Sequence, residues 1–483
     1  MGLAGIVLGL ALLIGLAFRG WSVLLLAPLA ALIAAAAGGE PLLAHWTQTF
    51  MTGAAGFVAQ FFPLFMLGAL FGKLMDDSGA VRAIAAKVSE SLGPERAVLA
   101  IVLVGALVTY GGVNLMVAFF VIVPMAEALF REANIPRRLM PAAVGIGTFT
   151  FTMSALPGSP AIQNAIPMPF FGTTPFAAPG LGLIAAAIML GFGLWWVGLR
   201  EKAARAAGEG FDGAAPAAEA MADDTRVREL VTVAREFDPA ELGHGVRTDA
   251  PPAFLPAFAP LATVLVVNLL MSFVVLPRLD TSVLAEERWG GISLSAVGGV
   301  WAVIVALAAG ILVLLALHWR RLPDLKESVD AGANASVLPV LSVASLVGFG
   351  GVVAAMPAFE LVRDWVLGIG GGPLVSLAAA INVLSALTGS ASGGMTIALG
   401  TLGETYMRLA AEYGIDPALM HRIAVMSSGT LDCLPHNGAV VTLLKVTGTT
   451  HGQSYADLVM AVIVGPVLAL VAVLVIGSFV GSF

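Results

Sequence analysis

A chain of 483 residues with one cysteine, Cys433, has no disulfide of its own and no thiolate set for a structural zinc ion. Charge is equally scarce. Asp, Glu, Lys and Arg make up 11% of the residues, against about 25% in ordinary soluble domains, too few to clothe a soluble globule of this length. The net charge of −7 offers no basic stripe, so nucleic acid is not a partner. There is no Walker pattern, no G-x-G-x-x-G after a strand and no H-E-x-x-H, and "GIGGGP" at 368–373 reads as a loop. Nucleotide hydrolysis and zinc chemistry therefore have no carrier, and no cofactor or metal is expected. The first twenty residues hold no basic residue before Arg19, so they lack the charged start of a secretory signal and read as a retained membrane helix.

What the chain does have is apolar length. Hydrophobic residues make up 58%, and mean hydropathy is +0.94. Runs of about 20 apolar residues, enough for a ~30 Å hydrocarbon core, recur from end to end. The expected fold class is an all-α polytopic membrane protein. One stretch, "REKAARAAGEGFDGAAPAAEAMADDTRVRELVTVAREFDPAELGHGVRTDA" at 200–250, is rich in Ala, Gly and charge and reads as a soluble linker, partly helical or disordered. It divides the chain into a first unit (1–199), a linker (200–252) and a second unit (253–483).

The two units share an order of features. "NIPRRLM" (134–140) matches "GIDPALM" (414–420), pairing Ile135 with Ile415 and Leu139 with Leu419 at an offset of 280. At that offset "GALVTYGGVN" (105–114) faces "SALTGSASGG" (385–394); "MSALPGSP" (153–160) then faces "LDCLPHNG" (431–438) at 278. Each unit thus reads as a Gly-rich hairpin, a charged turn with a proline, and an apolar helix broken at Leu-Pro. With a periplasmic N-terminus and hairpins that leave on the side they entered, each unit has five crossings. Outside the linker, 12 Lys and Arg then lie on the cytoplasmic side and 5 on the other, Arg422 among the latter. This places both termini in the periplasm and the linker in the cytoplasm. The units become inverted-topology repeats, each with a re-entrant helical hairpin and a broken transmembrane helix, as in secondary transporters.

Chemistry is expected at the interruptions, because backbone groups freed at membrane depth must face protein or a water-filled cavity. The hairpin tips supply Gly111, Gly112 and Asn114 in one unit and Ser390, Ser392 and Gly393 in the other. Close helix packing through small residues is the alternative reading of these tips. The broken helices supply Ser159, Gln163 and Asn164, and Asp432, His436 and Asn437. Neutral polar groups suit a hydroxyl or carboxylate without the cost of burying charge. Asp432 and His436 are the candidates for carrying a proton, since ionisable groups inside a membrane are rare and costly. Asp432 as a helix cap and His436 as a turn residue are the structural alternatives. Asp76 and Asp77, at a helix end, read as solvated, and Cys433 as a small packing residue.

The stretches "SGTLDCLPHNGAVVTLLKVTGTTHGQSY" (428–455) and "FTFTMSALPGSPAIQNAIPMPFFGTTPFAAPG" (149–180) resemble the gluconate permease (GntP) family, and the resemblance covers essentially the whole chain. It implies a multi-pass inner-membrane symporter for small hydroxy-carboxylates, usually proton-driven, with the hairpin tips and broken helices surrounding one substrate, an elevator movement and a homodimer. No Ser-Asn-Thr signature stands at either hairpin, which argues against sodium, and the departure around 154–164 argues against gluconate itself. Lactate or 3-hydroxybutyrate is the shorter alternative. The partners expected are a small organic anion, a coupling proton and the lipid bilayer. A sodium-coupled symporter and a passive anion channel or exchanger share the fold and remain as alternatives. An intramembrane enzyme would have only His436 with Ser427, Ser428 or Cys433 to work with.

Overall fold

The computed structural model describes residues 2–17, 19, 21–211, 228, 237–246, 248, 250–435 and 437–483, without the side chain of Met116. Among these residues there is no strand. Six helices are long and apolar enough to cross a membrane: Leu42–Asp77, Pro179–Ala206, Phe254–Arg278, Leu294–Arg321, Leu325–Ala355 and His451–Val480. Two shorter apolar helices, Gly2–Ala17 and Val23–Gly38, pack against each other as Phe254–Leu270 and Leu294–His318 do.

The remaining elements return in the same order in each unit. A short helix with a polar face, Ala80–Leu92 or Phe359–Leu367, leads into a hairpin. The first hairpin is Ala97–Tyr110 with Leu115–Glu132, and the second is Gly372–Thr388 with Ala391–Tyr413. Ala80–Leu92 meets the first hairpin at a bend of 102°, made by Gly93 at φ +67° ahead of Pro94. A broken helix follows each hairpin. Met140–Phe149 stops and resumes as the short turns Ile162–Ala165 and Pro167–Phe171; Pro417–Ser428 stops and resumes as Gly438–Val446. Proline keeps each break open beyond the stop. Pro157 and Pro160 bring no N–H to the first break, and Pro435 brings none to the second.

Matching helices of the two units run antiparallel where they touch. Along Leu42–Asp77 and Leu325–Ala355, Gly53 lies beside Val347 and Gly348, while Leu70 lies beside Gly332. Along the last helix of each unit, Gly180 N–H bonds Phe483 O at 2.7 Å, and Trp196 Nε1 and Arg200 Nε bond Asp457 Oδ1 at 3.1 and 2.8 Å. Contacts are also exchanged reciprocally. Val23–Gly38 packs on Val337–Ala355, and Leu294–His318 packs on Met51–Asp77. Pro167–Phe171 packs on Ala391–Tyr413, and Gly438–Val446 packs on Leu115–Glu132. The second half of each broken helix therefore leans on the outgoing arm of the other unit's hairpin.

Two readings of charge change in the structure. Asp76 and Asp77 are not solvated: with Lys73 they are fully buried, and Lys73 Nζ lies 3.0 Å from Asp77 Oδ1. The end of the linker covers them, with Leu242 O 3.5 Å from Lys73 Nζ and Thr248 N–H bonding Asp77 O at 3.0 Å. The linker end comes close enough that a Cβ on Gly245 would stand 2.6 Å from Asp77 Oδ2 and 3.3 Å from Lys73 Nζ. Arg422 is not a loop charge and does not report orientation. Asp416 caps its helix by accepting from Ala418 N–H at 2.8 Å with Pro417 in the first turn, which carries Arg422 about one and a half turns inside, where it is fully buried. The helix Pro179–Ala206 also continues past residue 200 into the segment read as linker.

Candidate functional site

Each break is pinned to its own hairpin by a hydroxyl at a matched position. Thr152 Oγ1 lies 3.1 Å from Thr109 Oγ1 on the first hairpin's incoming arm, and Thr430 Oγ1 donates to Asn382 Oδ1 on the second's. Tyr110 Oη then bonds Pro157 O at 2.6 Å, tying the first hairpin to the Leu-Pro turn.

The first unit's candidates gather around a cavity. Gly112, Asn114 and Gln163 line a space of about 70 Å³ between the hairpin tip, the break and the helix Met51–Asp77, together with Thr109, Met153, Leu64 and Phe65. Gly112 is required there by conformation: its φ is +100°, and a Cβ would stand 3.0 Å from Pro160 Cγ. Gly111 is packed beneath Leu261. Ser159 and Asn164 are buried and occupied in shaping the loop. Ser159 Oγ accepts from Ala161 N–H at 3.3 Å, and Asn164 Nδ2 donates to Ser159 O at 2.9 Å and Pro175 O at 3.0 Å. Neither lines that cavity.

The second unit's candidates form another cluster. Asn437, with its side chain buried, caps Gly438–Val446 by accepting from Ala439 N–H at 2.8 Å and Val440 N–H at 3.1 Å. Its Nδ2 donates to Gly389 O at 2.9 Å, at the hairpin tip, and to Asp432 O at 2.7 Å. Ser390 caps the outgoing arm by accepting from Gly393 N–H at 3.1 Å and lies 3.2 Å from Ser392 Oγ. Gly393 fits closely against Leu346. Asp432 is 1% exposed, and Cys433, packed in the core, brings its Sγ to 3.3 Å from Asp432 Oδ1. Asn437 is the cap of this half-helix, and Asp432 stands five residues ahead of it in the turn. His436 lies outside the described residues.

The two clusters meet through residues that the sequence reading passed over. Gly429, at the start of the second break, lies against Ser154 in the first. His421 joins the units: its Nδ1 is 2.6 Å from Thr173 Oγ1 and its Nε2 is 3.1 Å from Asn164 Oδ1. Beside it Arg422 donates Nε and Nη2 to Ala177 O at 3.1 and 2.8 Å, and Nη1 to Ser154 O at 3.4 Å. The loop they grip, with Thr173 and Ala177, lines a wider open cavity of about 440 Å³. The signal available in sequence was a His-Arg pair inside the apolar run "ALMHRIAVMSS", shortly after an Asp-Pro helix start.

Residues 1–170 match the model of the GntP family permeases. Along its full length the chain is 40% identical to YxjC of Bacillus subtilis (strain 168), named an uncharacterized transporter, with 99% of this chain and 98% of that one covered. The chain belongs to the GntP permease family. This GntP-family chain is a multi-pass membrane transporter, as its resemblance implied. Its fold is shared with the YdaH transporter of Alcanivorax borkumensis, at a TM-score of 0.57 and 16% identity over 92% of this chain and 90% of that one. It is also shared with MtrF of Neisseria gonorrhoeae, described with a class of antimetabolite efflux pumps, at 0.55 and 14% over 91% and 86%.

Proposed function

We propose that this permease is a proton-coupled symporter of a small hydroxy-carboxylate, working by alternating access in the bacterial inner membrane. The observation that carries the reading is Asp432. It is a buried carboxyl group in one break, and its counterpart at the same offset in the other unit is the neutral Ser154. An ionisable group in that position is expensive and is a functional group by default. Protonating it removes a negative charge from the region an organic anion must enter, so proton and anion are favoured together. Asn437 links that carboxyl segment to the second hairpin tip, so a change at Asp432 reaches the tip through one side chain. The antiparallel packing of matching helices supports inverted repeats, whose relative movement would expose the site to each side in turn. An elevator movement and a homodimer fit the same reading.

The test is uptake of radiolabelled lactate, 3-hydroxybutyrate and gluconate into proteoliposomes. An imposed pH gradient should drive accumulation above equilibrium. Asp432→Asn should abolish that accumulation while leaving counterflow exchange. Accumulation driven by a sodium gradient instead, or only equilibration under both gradients, overturns the proton-coupled reading in favour of a sodium symporter or a passive exchanger.

A further inference from the structure

The last residues before the second unit are fastened along their length to helix ends far away in the chain. Phe237 is buried, and Asp238 N–H bonds Ala335 O at 2.9 Å. Lys73 Nζ reaches Leu242 O at 3.5 Å, and Thr248 N–H bonds Asp77 O at 3.0 Å. Arg82 Nη2 donates to Thr248 O, and Arg321 Nη1 donates to Ala250 O at 2.6 Å. Gly79, at φ +76°, has Thr248, Pro251 and Pro252 packed around it. This end of the linker is a strap across the ends of Met51–Asp77 and Leu294–His318 and the start of Ala80–Leu92.

The strap is closest to the cluster beneath it at Gly245, whose φ is +86°. A Cβ there would meet Ser328 Oγ at 3.2 Å as well as Asp77 Oδ2. Both of those oxygens are buried without a hydrogen-bond partner among the described residues. Enclosing them, and the Lys73–Asp77 pair with them, takes polar groups out of water and opposes the seating of the strap. The ties that favour seating are mostly single hydrogen bonds to backbone carbonyls. An element balanced in this way opens before the helices it lies on.

What the strap touches gives it a consequence. Ala80–Leu92 is the elbow between Met51–Asp77 and the first hairpin, which it meets at a bend of 102°. Gly79 at its start and Arg82 in its first turn are both held by Thr248. Its side packs on Phe254–Leu270, the helix into which the strap runs. The elbow of the second unit, Phe359–Leu367, instead carries Leu361 and Trp365 at 62% and 69% exposure.

We infer that the strap, residues 237–246 with Thr248 and 250–252, restrains the elbow Ala80–Leu92, so that the freedom of the first hairpin is set by whether the strap is seated. Elements that lead into a moving part are where such a restraint acts. The restraint belongs to the first unit and is independent of the substrate and coupling ion proposed above.

Hydrogen–deuterium exchange of the full chain in lipid nanodiscs tests this, read on peptides from 80–92, 237–246 and 359–367. Gly245→Val drives a branched side chain onto Asp77 and Ser328 and unseats the strap. It should speed exchange of 237–246 and of 80–92 by about tenfold or more, while 359–367 keeps its wild-type rate. Arg82→Gln removes one tie between strap and elbow; it should speed 80–92 by about threefold or more and leave 237–246 protected. Faster exchange of 237–246 in Gly245→Val with 80–92 unchanged overturns the inference and leaves the strap a cover alone. A wild-type 237–246 that exchanges like a free peptide, or a Gly245→Val protein whose 237–246 stays protected, also overturns it. A Gly245→Val protein that does not fold shows itself by faster exchange in 359–367 as well. Arg82→Gln then carries the test, and an unchanged 80–92 overturns the inference.

Discussion

Asn437 makes four hydrogen bonds from one short side chain, and their loss has a calculable size. Two of them cap a helix, to Ala439 and Val440 N–H. Two of them hold carbonyls of the hairpin tip and the break, Gly389 and Asp432. Replacing an Asn cap by Ala costs about 1 kcal/mol. The two carbonyls lose a donor in a buried setting, about 1 kcal/mol each. Asn437→Ala should therefore cost about 3 kcal/mol. Asn437→Asp separates the two roles. Its carboxylate keeps the cap but turns an oxygen toward both carbonyls, so the helix survives and the tie to the tip does not. Thermal unfolding in detergent, followed by tryptophan fluorescence, should show a midpoint lowered by about 6 °C in Asn437→Ala, taking roughly 2 °C per kcal/mol for a large chain. Transport into proteoliposomes should fall in both variants, and no less in Asn437→Asp than in Asn437→Ala. An Asn437→Asp protein that transports like wild type refutes the tie. A midpoint within 1 °C of wild type in Asn437→Ala, on the same ~2 °C scale, refutes the ledger.

Two further expectations concern the cytoplasmic side of the proposed topology. Lys73→Met leaves the buried Asp77 carboxylate without the cation 3.0 Å away and should cost about 3–5 kcal/mol; Lys73→Met with Asp77→Asn should recover most of it, as read by the same unfolding midpoints. Arg138 holds the Glu209 carboxyl below its ordinary 4.5, first through their hydrogen bonds of 2.7 and 2.8 Å. A depressed carboxyl pKa supplies stability in full above its unfolded value and loses it as pH falls through the lower folded value. The midpoint of wild type should therefore fall slightly more than that of Glu209→Gln as pH is taken below about 4.5 toward 3. The difference is small because the pair is largely solvated, and a Glu209→Gln profile that falls more steeply than wild type refutes the assignment.

The spans, the hairpins and both breaks were legible in the sequence because each has a local physical cause: apolar length, a Gly-rich tip, or a proline without an N–H. The shared order of features was legible for the same reason, as "MSALPGSP" and "LDCLPHNG" carry the cause twice. Gly112, Asn114 and Gln163 were named from those interruptions and line one cavity. The burial of Asp76 and Asp77 was not legible, because it depends on a linker end that packs back from 165 residues or more along the chain. Arg422 was missed for a related reason. A charge in an apolar run reads as a loop charge when the run is short, and only the packing of the neighbouring unit's Ala177 and Ser154 shows that it is enclosed.

The two units therefore agree in geometry and differ in charge, and the difference is placed where the units touch. Thr152 and Thr430 do the same mechanical work. One residue pair later the equivalence ends: Ser154 offers a carbonyl to a cation that belongs to the other unit, while Asp432 brings a carboxyl group of its own. Arg422 precedes the second break on the same broken helix, so the helix that carries the acid also carries the cation that reaches across. A movement of one break relative to the other would have to change the surroundings of Arg422 and of Ser154 together. On the proposed alternating access, the 3.4 Å contact from Arg422 Nη1 to Ser154 O is therefore one that the two units would have to break and remake.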